Sequence, residues 1–171
     1  MVTIDLITGF LGSGKTTFLK KYAEYLMDQG LHIGILENDF GAINVDMLML
    51  HELRGDQCEL EMIAGGCDAE SHRRRFRTKL ISKRMCGYDR VLVEPSGIYD
   101  VDEFFDVLRE DPLDQWYEIG SVITIMNAKL EDTLSEEAEY LLASEAANAG
   151  CVVLSRSQDA SPEEIAKTRA H

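Results

Sequence analysis

Near the amino end stands Gly9-Phe10-Leu11-Gly12-Ser13-Gly14-Lys15-Thr16-Thr17, which fits G-x-x-x-x-G-K-[ST] at Gly9, Gly14, Lys15 and Thr16. Such a pattern can hold phosphate. Its glycines let the backbone curl until the N–H groups around Gly12, Ser13 and Gly14 point into one concavity, which receives phosphate oxygens. A helix starting behind the loop adds its free N-terminal N–H groups and the positive end of its dipole, and Thr17 falls in that first turn. Lys15 would reach the β- and γ-phosphates, and the Thr16 hydroxyl would hold Mg²⁺. An ordinary Gly-rich strand-to-helix turn has a similar composition. The flanks favour phosphate: an apolar, β-branched run from Val2 to Thr8 precedes the loop, and Phe18, Leu19, Tyr22, Ala23, Tyr25 and Leu26 follow at helical spacing.

Two carboxylate motifs accompany the loop. In Arg90-Val91-Leu92-Val93-Glu94-Pro95-Ser96-Gly97 an apolar run ends in Glu94, with Gly97 three residues on. Behind a phosphate loop, that arrangement suits a metal-binding carboxylate and a glycine N–H that senses the γ-phosphate. The plainer alternative is an acidic residue before a proline turn. In Glu37-Asn38-Asp39-Phe40-Gly41, Glu37 and Asp39 lie two apart, so on an extended backbone they point the same way, towards Mg²⁺ or a second metal. A polar turn punctuated by glycine is the alternative there. Lys15, Asp39 and Glu94 are the candidate catalytic residues. Glu94 and Asp39 are also the candidates for orienting an attacking water.

The elements that must position these motifs alternate along the chain. After the first strand and helix, apolar runs at Leu31 to Leu36, Cys58 to Ile63, Arg90 to Val93, Ser121 to Met126 and Val152 to Leu154 read as strands. Glu70 to Met85 (with Phe76, Leu80, Ile81 and Met85 on one side), Val101 to Leu108 and Ser135 to Ala147 read as helices, and another begins where Ser161 could cap and Pro162 take the first position. This alternation predicts an α/β fold, a doubly wound, mostly parallel sheet with helices on both faces, of the P-loop NTPase kind. Ligands of such sheets gather at the carboxyl ends of the strands, where all three motifs fall.

At 171 residues the chain is expected to be a single nucleotide-binding domain, and its ending on a nascent helix leaves room for a missing further strand. A net charge of −14 argues against nucleic-acid or anionic-membrane partners. No apolar run reaches spanning length and no secretory signal is evident, so a cytoplasmic location is expected. Cys58, Cys67, Cys86 and Cys151 form no C-x-x-C pair and are expected to be reduced, with Cys58, Cys86 and Cys151 in apolar contexts as core residues.

Together, the Gly9–Thr17 loop, Glu37-Asn38-Asp39-Phe40-Gly41, Gly65-Gly66-Cys67 and Glu94-Pro95-Ser96-Gly97 resemble the CobW-type metal-chaperone GTPases, relatives of the UreG and HypB nickel-insertion GTPases. The resemblance implies a P-loop domain that binds GTP or GDP with Mg²⁺, hydrolyses GTP slowly, and couples this to delivery of Zn²⁺, Co²⁺ or Ni²⁺ to a client metalloenzyme or corrinoid-type protein. Larger members add a C-terminal domain for which this chain is too short. By resemblance Thr16 and Glu94 serve Mg²⁺, Asp39 joins them, and Glu37 and Cys67 are candidate ligands for the transition metal. The family run G-G-C-x-C-C keeps only its first cysteine here, in Cys67-Asp68-Ala69-Glu70-Ser71-His72. One thiolate with oxygen or imidazole ligands makes a weaker and less selective site than three. Such a site could be shared across a homodimer. The base-reading N-K-x-D aligns with Ser155-Arg156-Ser157-Gln158, or shifted by one reaches Asp159. Ser155, Arg156 and Gln158 are therefore the base-contact candidates, and Gln158 has one acceptor where guanine wants two.

A small-molecule kinase on the same core is the competing enzyme. The Arg73, Arg74, Arg75, Arg77 and Lys79 cluster could imitate its lid, although an acid-paired helix face explains the cluster more simply. A non-catalytic module that changes its assembly with nucleotide is the third reading. Met47, Leu48, Met49 and Leu50 read as packing residues.

Overall fold

The computed structural model describes residues 1–9, 14–39, 51–64, 69–94, 101–127, 150–155 and 160–170. Its strands are β1 (Val2–Thr8), β2 (Ile33–Asp39), β3 (Cys58–Ala64), β4 (Arg90–Glu94), β5 (Tyr117–Asn127) and β6 (Cys151–Ser155). They form one sheet in the order β3-β2-β4-β1-β5-β6, and each described pairing is parallel. The described helices are α1 (Lys15–Asp28), α2 (Ala69–Met85), α3 (Val101–Arg109), the short α4 (Leu113–Trp116) and α5 (Pro162–Ala170). From β1 the chain moves to one side of the sheet, through β2, β3 and β4. It then crosses to β5 and β6 on the other. That reversal puts the crevice at the carboxyl end of β1, where the phosphate-loop motif begins.

Strand alternation supplies two cores. Val2, Ile4 and Leu6 of β1 pack with Leu36, Val91, Val93, Phe76, Leu80 and Phe104 beneath α2 and α3. Ile7 packs instead with Ile33, Ile35 and Leu92 against Leu19, Ala23 and Leu26 of α1. Asp5 is on this second face, fully buried within β1. Its Oδ1 accepts the Ser121 N–H at 2.6 Å, and its Oδ2 meets the Tyr22 hydroxyl at 3.0 Å and Arg90 Nη1 at 3.2 Å. Burial, reinforced by Asp5, pushes the Tyr22 hydroxyl above its usual pKa.

Asp5 sits where the β1–β5 register slips: Ile4 pairs Ile119, but Leu6 pairs Val122. The extra residue flips the strand's parity, which returns Val122 to the core face. Gly120 makes the slip possible, since a Cβ there would lie 2.3 Å from Asp5 Oδ1 and 2.5 Å from Thr3 Cγ2.

Several expectations need correction. β5 begins four residues before Ser121, because polar Glu118 and flexible Gly120 mask its start. Met85 is 85% exposed and its place on the core stripe is taken by Lys83, three residues after Leu80. Buried Lys83 pairs with Glu61 at 2.6 Å and lies 5.1 Å from the Tyr88 ring centre. Tyr25 is exposed too, two residues off the Leu19–Ala23–Leu26 stripe. Of the cysteines expected in the core, Cys58 is buried but Cys86 and Cys151 are exposed.

Other details match expectation. The Ser161 Oγ accepts the Glu164 N–H at 3.2 Å while Glu164 returns a bond to the Ser161 N–H at 2.7 Å, a capping box ahead of Pro162. Arg73 and Arg77 of the basic cluster both pair with Glu110, and Arg74 pairs with Glu70. The expected helix at Ser135 to Ala147 and the Met47–Leu50 cluster lie outside the described residues.

Candidate nucleotide and metal site

Gly14 ends the loop and caps α1 with a left-handed backbone, φ 93°. The helix then begins on Lys15 and Thr16, with the Phe18 N–H donating to the Gly14 carbonyl at 3.1 Å. The first turn of α1 contains no acidic residue, so no side chain there opposes the positive end of the dipole. Lys15 and Thr16 are buried and Thr17 is exposed. Lys15 has an interaction partner within the chain, and its position at a helix start also lies where an anion would be bound.

The sheet brings the two acidic motifs to this point. β2 and β4 are neighbours, and their register places Glu37 directly beside Glu94. Ile33 and Ile35 face α1, as does Leu92, so parity turns both carboxylates towards α1. Glu37 is 2% and Glu94 5% exposed. The Thr16 hydroxyl donates to Glu94 Oε1 at 3.2 Å, which joins the first turn of α1 to the end of β4. Among the described residues, Glu37 Oε1 and Glu94 Oε2 are buried and accept no hydrogen bond, although both side chains make other interactions. A hydroxyl and two carboxylates supply hard oxygen donors, the set that suits Mg²⁺, so the residues present fit that ion. Among the described residues there is no group of three or more His, Cys, Asp or Glu placed to hold a metal.

Ser155, at the end of β6, approaches the same loop. Its Oγ donates to the Met126 carbonyl at 3.1 Å, and its Cβ lies 3.4 Å from the position a Cβ on Gly14 would take. Ser155 pairs in register with Asn127, the last residue of β5. Below the loop, the Thr8 and Thr124 hydroxyls share a buried hydrogen bond of 2.8 Å between β1 and β5. Sequence reasoning missed Asn127, Thr8 and Thr124. Their only signal is the strand order, which local patterns do not contain. Gly12, Ser13, Cys67, Gly97, Arg156 and Gln158 lie outside the described residues, as does the side chain of Asp39, which closes β2. A separate cleft bordered by His32, Asp56, Cys58 and Cys86 opens where β2 and β3 start, at the far end of the sheet from the loop.

Fold and site together define a P-loop α/β domain. The match to the family model "CobW/HypB/UreG, nucleotide-binding domain" runs over residues 3–171, and the chain belongs to that family. It is 27% identical to the zinc chaperone YeiR of Escherichia coli (strain K12), covering 95% of this chain and 49% of that protein. It is 30% identical to the zinc chaperone YjiA of the same organism, covering 74% of this chain and 41% of that one. The crystal structure of Zn(II)-bound YjiA GTPase from E. coli shares the fold, with a TM-score of 0.61 at 20% identity over 98% of this chain and 53% of that one. The chain thus spans about half the length, or less, of these curated relatives. Among the described residues no helix is long and apolar enough to cross a membrane.

Proposed function

We propose that this chain is the GTP-binding and GTP-hydrolysing part of a metallochaperone, dependent on Mg²⁺ and slow in turnover. The observation that carries the reading is the junction of Thr16, Glu94 and Glu37 behind a lysine-bearing helix start. Lys15, the loop N–H groups through Gly12, Ser13 and Gly14, and the α1 dipole would bind the phosphates and stabilise charge growing on the transferring γ-phosphoryl. Thr16 and Glu94, with Asp39, would hold Mg²⁺, which when bound supplies further charge neutralisation at the β- and γ-oxygens. Glu94 or Asp39 would orient the attacking water, and the Gly97 N–H would register the γ-phosphate. Ser155, Arg156 and Gln158 would face the base.

The relatives named zinc chaperones favour zinc as cargo, with Glu37 and Cys67 as its first ligands. Glu37 then stands between two tasks: its position beside Glu94 makes metal loading sensitive to the nucleotide site. Delivery to a client protein from the cytoplasm completes the reading. Isothermal titration of GTP, GDP, ATP and ADP with Mg²⁺, with and without Zn²⁺ or Co²⁺, tests it. Guanine nucleotides should bind more tightly than adenine nucleotides, and metal should change that affinity with a reciprocal effect on its own. Equal affinities for the two bases would remove the GTPase reading. Absence of metal linkage would remove the chaperone half.

A further inference from the structure

The eleven-residue β5 is flanked by β1 along one edge, but the five-residue β6 pairs only with Ile123–Asn127 on the other. The Val122 carbonyl takes the Gly150 N–H at 2.8 Å. Among the described residues no strand lies beside Tyr117–Ser121 on the side away from β1. The middle of this stretch is open to solvent: Glu118 and Gly120 are exposed, and Ile119 is 47% exposed although it points to the core face beneath α3, while Tyr117 is buried. A bare edge with an exposed branched apolar side chain is what sheets ordinarily cover. Beside it runs a groove of about 570 Å³, bordered by Ile119, Phe105, Asp102, Asp106 and Arg109. Asp106 partly satisfies Arg109 at 3.6 Å, Glu103 in the same turn of α3 adds negative charge, and Glu118, which accepts the Thr3 hydroxyl, carries negative charge on the opposite face of the strand.

We propose that the Tyr117–Ser121 edge and its groove dock an extended segment of a partner protein that carries lysine or arginine around an apolar side chain. The segment would continue the sheet alongside β5, in line with β6, by main-chain hydrogen bonds. Its apolar side chain would cover Ile119 and Phe105, cations two residues away on the same face would meet Asp102 and Asp106, and a cation at an alternate position would meet Glu118 on the opposite face. Charge chooses this occupant over a second copy of the chain. Two copies meeting edge to edge would oppose the same carboxylates across a short distance, and like charges so placed disfavour pairing. The proposal is independent of the nucleotide reading, since the groove lies at the amino end of β5 and the phosphate loop at the carboxyl end of β1.

The test is an NMR titration of the ¹⁵N-labelled chain with two short synthetic peptides, Lys-Lys-Val-Lys-Lys and Glu-Glu-Val-Glu-Glu, which place charge on both faces around one apolar side chain. The lysine peptide should shift the amides of Glu118, Ile119, Gly120 and α3, and should weaken at high salt. Its affinity should fall about tenfold in Asp102→Lys/Asp106→Lys, and also fall in Ile119→Ser, while the amide spectra of both variants away from the groove stay at the parent positions and report intact folding. Shifts spread over unrelated acidic surfaces, equal binding of the glutamate peptide, or peptide-free dimerisation abolished by Ile119→Ser would each overturn the assignment.

Discussion

Substitution of Gly14 by alanine separates what the phosphate loop owes to backbone conformation from what it owes to space. Gly14 and Gly30 both have left-handed backbones, φ 93° and φ 80°. A Cβ on Gly30 would meet nothing within 4 Å, so Gly30→Ala measures the conformational cost alone. That cost is about 1–2 kcal/mol for an L-residue, less any local relaxation. A Cβ on Gly14 would carry the same cost and also meet Ser155 Cβ at 3.4 Å, the near limit of ordinary van der Waals contact. Gly14 can escape the strain only by moving the loop out of its cradle shape. Such movement reduces the binding-competent fraction, and about 1.4 kcal/mol of it corresponds to a tenfold loss in affinity.

The assays are urea denaturation of the apo chain and titration of GTP with Mg²⁺. Gly30→Ala should lose about 1 kcal/mol of stability and bind GTP normally. Gly14→Ala should lose a similar amount and bind GTP about tenfold more weakly. Adding Ser155→Gly should recover only the contact part of the Gly14→Ala defect. Normal GTP affinity in Gly14→Ala would refute the argument, and complete rescue by Ser155→Gly would show that contact, not φ, governs the loop.

Thr16→Ala should abolish most of the gain in GTP affinity that Mg²⁺ brings, while affinity in EDTA stays near the parent value; titrations in the two buffers check this. Gly120→Ala should destabilise the chain by about 2–4 kcal/mol, combining overpacking at the register slip with disturbance of the buried Asp5–Ser121 bond, as read by urea melts. Asp5→Ala should cost about 3–5 kcal/mol, because it leaves Arg90, the Tyr22 hydroxyl and the Ser121 N–H without their shared acceptor. Iodoacetamide at pH 8 should label exposed Cys86 and Cys151 and spare Cys58, whose thiol burial pushes up to about 11. This raised value favours the neutral thiol in the fold, a contribution that is complete below the ordinary cysteine value and disappears as the pH climbs through about 11. Peptide mass spectrometry with and without urea reads both effects.

The amino-acid sequence by itself determined the element types and marked Gly9 to Thr17 as the candidate phosphate-binding stretch. Both are local matters: apolar periodicity chooses strand or helix within a few residues, and a glycine-rich turn followed by lysine and threonine is a pattern whose adjacent N–H groups can cradle an anion. It also marked Glu37 and Glu94 as strand-end carboxylates. Local pattern misplaced residues where a long-range contact outweighs hydropathy. Lys83 lies in the core because Glu61, on another element, neutralises it, and β5 begins early because Tyr117 to Ile119 pair with Val2 to Ile4 of β1, far away in sequence.

Only the tertiary structure decided that Glu37 adjoins Glu94 and that Thr16 reaches it. The register of β2 on β4 and the seat of α1 above them arise from packing two cores on opposite faces of one sheet. That no strand among the described residues lies beside Tyr117–Ser121 on the side away from β1 was likewise unreadable, since it depends on a mismatch in length between β5 and β6. Short-range rules state what each segment can be; which segments meet is set by burial summed over the whole fold.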